Sequence, residues 1–122
     1  MKLYEARNII NLALAGHSGA GKTSLAEAML YLAGASDRRG KIGEGNTVCD
    51  YDPEEIRRKS SVSAAVAPFE WRNHKINLLD APGLFDFESG LCEAVRAADT
   101  VLIAVSGKSG VAVGTEKAFA AA

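Results

Sequence analysis

Apolar residues along the chain fall into short runs, separated by glycine-containing turns and by stretches with helical spacing. Ile9-Ile10-Asn11-Leu12-Ala13-Leu14-Ala15 is almost continuously apolar and stops at Gly16, which predicts a largely buried strand. Leu25, Ala26, Met29, Leu30 and Leu32 recur at helical spacing, which predicts a helix over Lys22–Leu32. The span 62–71, a turn at Arg72-Asn73-His74 and the run Lys75-Ile76-Asn77-Leu78-Leu79-Asp80 predict two strands joined by a tight turn. A second helix is expected over 88–98, and Thr100-Val101-Leu102-Ile103-Ala104-Val105-Ser106 reads as another buried strand. The Ala-rich ending from Thr115 reads as a third helix that reaches Ala122 without a stop signal, as if the chain were cut inside an element. Residues 36–63 break the rhythm, with many charged and very few large apolar positions. They read as a long mobile loop, and such a loop inside a compact domain is usually functional or disordered.

Strands alternating with helices point to an α/β domain, a mainly parallel sheet with helices on both faces. Ligands of such sheets sit at the carboxyl ends of the strands. The 122 residues suit one domain, and 48% hydrophobic with 24% charged residues excludes a disordered tail. Fourteen basic and 15 acidic residues nearly cancel, so no direct DNA binding and no membrane-surface role is expected. No apolar run reaches the ~18 residues of a membrane span, and the charged start is unlike a signal peptide. Cys49 and Cys92 lie far apart without a metal-binding or redox spacing, which fits free thiols in the cytoplasm. Cys92, on the second helix, is expected to be a small buried residue, and Cys49 carries no sign of reactivity.

The chemistry lies directly after the first strand. Gly16-His17-Ser18-Gly19-Ala20-Gly21-Lys22-Thr23 fits G-x-x-x-x-G-K-[ST] between a strand and a helix. Glycines let consecutive backbone N–H groups point inward around phosphate oxygens, and the helix opening at Lys22 adds its positive end. Lys22 reaches the outer phosphates and the Thr23 hydroxyl suits Mg²⁺, with Ser24 next to it in the nucleotide-binding run. A chance match in this length has a probability on the order of a few in a thousand. A turn that merely packs a helix onto a strand has no use for Lys and Thr at its end. Gly107-Lys108-Ser109 lacks the opening glycine, since Leu102 stands there, and reads as a surface turn.

Asp80-Ala81-Pro82-Gly83 ends the third apolar run. An Asp at a strand's end can hold a Mg²⁺-bound water, and a Gly three residues on can swing its N–H onto a terminal phosphate. Alone, D-x-P-G is an ordinary turn sequence. The order phosphate loop, mobile loop, strand pair, D-x-x-G is the layout of a switch GTPase, with Lys22 and Gly83 in the catalytic roles.

From about Asn8 to Ala122 the chain resembles the translational GTPases, and among them the G domain of elongation factor G and its divergent paralogues. The similarity is carried by Asn8-Ile9-Ile10, by Gly16-His17, and by His74 to Gly83 with Asp86-Phe87 after it. Val95-Arg96-Ala97-Ala98-Asp99, Gly110-Val111 and Thr115-Glu116 add to it. The resemblance implies a P-loop G domain lacking its last strands, with GTP or GDP, Mg²⁺ and the ribosome as partners. Elongation factor G usually has Asp at Gly19 and a catalytic His at Leu84. Its R-G-I-T-I segment, whose Thr reaches Mg²⁺, corresponds to Arg58-Lys59-Ser60-Ser61-Val62, so Ser61 stands in as the metal ligand. Leu84 cannot orient water or carry a proton. The N-K-x-D motif that reads guanine lies, in the family, beyond Ala122. A nucleotide-binding module with little hydrolysis and a P-loop ATPase therefore stand beside the GTPase reading.

Overall fold

A computed structural model of the chain describes residues 2–83 and 88–122. Its strands are β1 (Ile9–Gly16), β2 (Ala65–Trp71), β3 (His74–Asp80) and β4 (Thr100–Ala104). Its helices are α1 (Lys22–Leu32), α2 (Pro53–Arg58), α3 (Glu88–Ala97) and α4 (Val113–Ala121). One sheet has the order β2-β3-β1-β4. β1 runs parallel to both its neighbours, and β2 pairs antiparallel with β3. The β2–β3 turn is made by Arg72 (φ 46) and Asn73 (φ 64), a left-handed pair that matches the twist of the flanking strands.

The apolar run of β1 is explained by its central place, because both of its faces are covered. Leu14 packs with Leu78 and Phe69 against Ala26 and Leu30 of α1. Ala13 and Ala15 look the other way, joining Leu79 against Leu91 and Ala94 of α3 and Ala118 of α4. The expected layering is thus borne out. It brings the ends of β1 and β3 side by side, with Leu14 in register with Asp80 and the Ala81 N–H donating to the Leu14 carbonyl at 3.0 Å.

Residues 36–63 contain more structure than their polarity suggests. A 3-10 turn covers Ile42–Glu44. α2 opens on Asp52, whose side chain accepts from the Glu54 N–H at 2.8 Å, while Glu55 accepts from the Asp52 N–H at 3.2 Å, a capping box with Pro53 at the first helical position. Two buried carboxylates hold the segment. Glu27 of α1, 0% exposed, accepts from the Val48 N–H at 2.6 Å and from the Gly40 N–H at 3.2 Å. Glu55 accepts from the Val62 N–H at 3.1 Å. A Cβ on Gly40 would stand 2.6 Å from Glu27 Oε2 and 2.8 Å from the Asn46 carbonyl oxygen, so only glycine lets the backbone come so close.

Cys92 departs from the expected burial. Cys49, from the segment read as a loop, is buried in the α1-side core, whereas Cys92 is exposed. Leu91 and Ala94 carry the buried face of α3, and one step of about 100° past Leu91 turns Cys92 outward. Gly107-Lys108-Ser109 lies in a turn closed by the Gly110 N–H donating to the Ser106 carbonyl at 2.8 Å, as expected. Among the described residues no helix is long and apolar enough to cross a membrane.

Glu27→Gln keeps the shape but turns an NH₂ group toward one of the two backbone N–H donors. We expect a loss of about 1–3 kcal/mol in urea unfolding, the cost of a buried donor left unsatisfied. Unchanged stability would mean that α1 does not anchor the segment.

Candidate functional site

The first turn of α1 sets the geometry. Gly21 caps the helix in a left-handed conformation (φ 92), which directs Lys22 and Thr23 inward, where both are buried. Lys22 folds back over the loop and its Nζ donates to the His17 carbonyl at 3.2 Å. Thr23 Oγ1 donates to Asp80 Oδ2 at 2.8 Å, joining the start of α1 to the end of β3. A third segment meets them. Ser61 Oγ lies 3.3 Å from Thr23 Oγ1 and donates to Asp50 Oδ1 at 2.6 Å. Asp50 is itself held by its backbone, whose N–H donates to Thr47 Oγ1 at 3.2 Å.

This cluster holds two hydroxyls and two carboxylates, and it is incompletely satisfied. Asp50 Oδ2 and Asp80 Oδ1 are buried without a hydrogen-bond partner among the described residues. Buried polar atoms are nearly always paired, because leaving one bare costs about 1–3 kcal/mol. Two bare carboxylate oxygens next to two hydroxyls are a donor set for a small hard cation that prefers oxygen, of the Mg²⁺ type. Gly83 completes the site. A Cβ there would stand 2.5 Å from Lys22 Nζ and 2.7 Å from the Ser18 nitrogen, so the D-x-P-G backbone lies directly on the phosphate loop.

Ser18, Gly19, Gly21, Lys22, Thr23, Ser61 and Gly83 line one pocket of about 140 Å³, with Asp80 buried beside it. Other expected site residues are placed differently. Gly16 ends β1, and Ala20 turns the loop, its N–H donating to the His17 carbonyl at 3.1 Å. His17 Nδ1 accepts from the Gly114 N–H at 3.2 Å, which ties the loop to the start of α4. Ser24 is exposed on α1 and does not line the pocket. Leu84 lies outside the described residues. The pocket also contains Ile42, Asp50, Lys59 and Ser60, none of which the motifs single out. Asp50 looks like any other acid of a polar stretch, and its only local signal is Thr47 three residues before it.

The charges are shifted in a consistent way. Burial pushes the Asp80 carboxyl up to about 6, against the opposing effects of the Thr23 hydroxyl and the Lys22 ammonium. Burial raises Asp50 as well, opposed by the Ser61 hydrogen bond. Burial lowers Lys22, opposed by Asp80 and Asp50. All three groups are pushed toward neutrality by burial, against the opposing charges and hydrogen bonds of the site, as at a place where a cation and an anion bind together.

A stability effect follows from Asp80. Its carboxyl binds a proton more tightly folded (about 6) than at the ordinary value of 3.8, so stability of the free protein falls as pH rises from about 4 to 6 and then levels off. Asp80→Asn keeps an acceptor for Thr23 without the charge. We expect the variant to gain stability at pH 7.5, on the order of 3 kcal/mol at most, and to gain nothing near pH 3.5. Urea unfolding of both proteins at the two pH values measures this, and an equal difference at both would refute the strained carboxylate.

Residues 7–122 match the elongation factor Tu GTP binding domain. A Mycobacterium tuberculosis "Elongation factor G-like protein" is 46% identical over 101 residues, covering 83% of this chain and 14% of that protein. The mitochondrial "Ribosome-releasing factor 2" of Scheffersomyces stipitis is 38% identical over 109 residues, covering 89% of this chain and 13% of its own. A crystal structure of a Thermus thermophilus protein superposes with a TM-score of 0.90 at 49% identity, covering 93% of this chain and 17% of that one. The chain thus spans about one seventh of the length of these curated relatives. With the phosphate loop, the D-x-P-G turn and the sheet order in place, the chain belongs to the elongation factor Tu GTP-binding domain family.

Proposed function

We propose that the chain is the amino-terminal part of a GTP-binding switch domain, from an elongation factor G-like translation factor that acts on the ribosome in the cytoplasm. The observation that carries this reading is the meeting of Thr23, Asp80 and Ser61, which joins three separate segments at one phosphate pocket. Thr23, Ser61, Asp80 and Asp50 would hold Mg²⁺, which when bound neutralises charge on the phosphate oxygens. Lys22 exchanges the His17 carbonyl for phosphate oxygens, a charge-assisted partner in place of a neutral one. Gly83 offers its N–H to the terminal phosphate, and residues 36–63 close over the nucleotide through Ser61. Loss of the terminal phosphate frees both segments, which makes the domain a switch. The guanine preference and the ribosome rest on the family and on the names of the relatives.

Leu84 favours a slow enzyme. The resemblance places a water-orienting histidine at that position, and a leucine side chain excludes water without hydrogen-bonding to it. Phosphoryl transfer depends on positioning and charge stabilisation, so binding is retained while turnover falls.

Lys22→Ala should weaken Mg²⁺–GTP binding by several kcal/mol with the fold intact, as read by calorimetric titration and thermal unfolding, since a phosphate charge loses its partner. Near-native affinity would sink the assignment, and equal affinity for ATP in the full-length protein would remove the guanine preference and favour the P-loop ATPase reading. Leu84→His should raise ribosome-stimulated single-turnover hydrolysis at least ~10-fold, equivalent to about 1.4 kcal/mol of barrier. Fast wild-type turnover, unimproved by the histidine, would show that another residue positions the water.

A further inference from the structure

Lys59 has a backbone conformation that its side chain does not favour. Among the described residues, three non-glycines have positive φ, and two of them, Arg72 and Asn73, form the hairpin turn that demands it. The third is Lys59 (φ 55, ψ 36), which ends α2 in the left-handed region where glycine is the usual residue. Its place is fixed from both sides. The Ser60 N–H donates to the Glu55 carbonyl at 3.2 Å, and the Glu55 side chain accepts from the Val62 N–H two residues further on.

The position puts Lys59 on the wall of the phosphate pocket, together with Gly19, Lys22 and Ser61. The two preceding cations are engaged elsewhere, since Arg57 (2.6 Å) and Arg58 both pair with Glu54. The Lys59 ammonium has no hydrogen-bond or ion-pair partner among the described residues and stays exposed. Within the site the buried Lys22 is outnumbered by Asp50 and Asp80, so a polyanion entering there meets a deficit of positive charge. Gly19, which lines the same pocket as Lys59, brings no side chain of its own, so the Lys59 ammonium faces no carboxylate from that part of the loop.

We propose that Lys59 is a second phosphate-binding cation, carried by the 36–63 segment, which contacts the terminal phosphate of a nucleoside triphosphate and makes closure of the segment selective for triphosphate over diphosphate. Lys22 belongs to the rigid loop and serves both nucleotides, whereas Lys59 belongs to the segment that closes and serves one. The proposal rests on the nucleotide-binding reading above. Its physical basis is a charge-assisted contact between an ammonium and a phosphate oxygen, made only when the segment is closed.

The test uses the full-length protein with Mg²⁺ at fixed ionic strength, titrated with GDP and with a non-hydrolysable GTP analogue. Lys59→Gly, which suits the left-handed backbone, should fold at least as stably as the wild type by thermal unfolding. It should lose at least ~10-fold in affinity for the analogue and stay within about twofold for GDP. Lys59→Arg should retain most of the selectivity. Lys22→Ala is the reference and should weaken both nucleotides. If Lys22→Ala weakens both while Lys59→Gly leaves the ratio of the two affinities unchanged, or lowers both equally, the role of Lys59 is overturned. If Lys22→Ala weakens neither, the nucleotide-binding reading fails instead.

Discussion

A single hydrogen bond, from the Thr23 hydroxyl to the Asp80 carboxylate at 2.8 Å, joins the two parts of the molecule on which everything else depends. Thr23 is in the first turn of α1 and Asp80 is the last residue of β3, so the bond fixes the helix over the carboxyl ends of the central strands. It can form only because β1 and β3 run parallel and in register, bringing the glycine loop and the D-x-P-G turn to the same edge of the sheet. The same bond leaves one Asp80 oxygen buried and bare. The fold therefore holds an incompletely compensated carboxyl in its interior, and structural stability alone gives no reason for it.

Ser61 and Asp50 extend this constraint to the long polar segment. That segment reaches the site through hydrogen bonds and one buried cysteine, with few other apolar contacts. Anchored by Glu27 and Glu55, it is attached by polar groups whose alternatives in water are nearly as good. Elements held in this way sit at the low end of local stability, where switches are drawn from. Supplying the missing counter-charge at Asp50 and Asp80 would stabilise the closed segment and the bound ligand together.

The elements that the sequence made legible are those that bury an apolar face. β1, α1, the β2–β3 pair, α3 and β4 were all visible as runs or periodicities, with ends displaced by a few residues, although β4, read as a buried strand, is an edge strand without a fully buried residue. The phosphate loop was visible because glycine, lysine and threonine at fixed spacing have no packing explanation. Asp50 was hidden because nothing local separates it from Asp52 or Glu54, and its partner Ser61 is eleven residues away. Glu27 was hidden on the buried face of α1, where a carboxylate looks like a break in the apolar stripe. α2 had a readable start in Asp52-Pro53 with Glu55, yet only six residues of helix follow, too few for a periodicity. Cys92 was expected to be buried because it lies on a helix, whereas in the fold burial follows the direction of each side chain and Cys92 points outward.

The account stands on the idea that the bare oxygens of Asp50 and Asp80 await a cation delivered with a polyphosphate. The most direct measurement is the affinity of the wild-type protein for GTP, titrated with saturating Mg²⁺ and again with a chelator in place of the metal. Binding should be at least ~10-fold tighter with Mg²⁺, a difference of about 1.4 kcal/mol or more. Equal affinities in the two titrations would show that these carboxylates serve no cation, and would contradict the reading of the site.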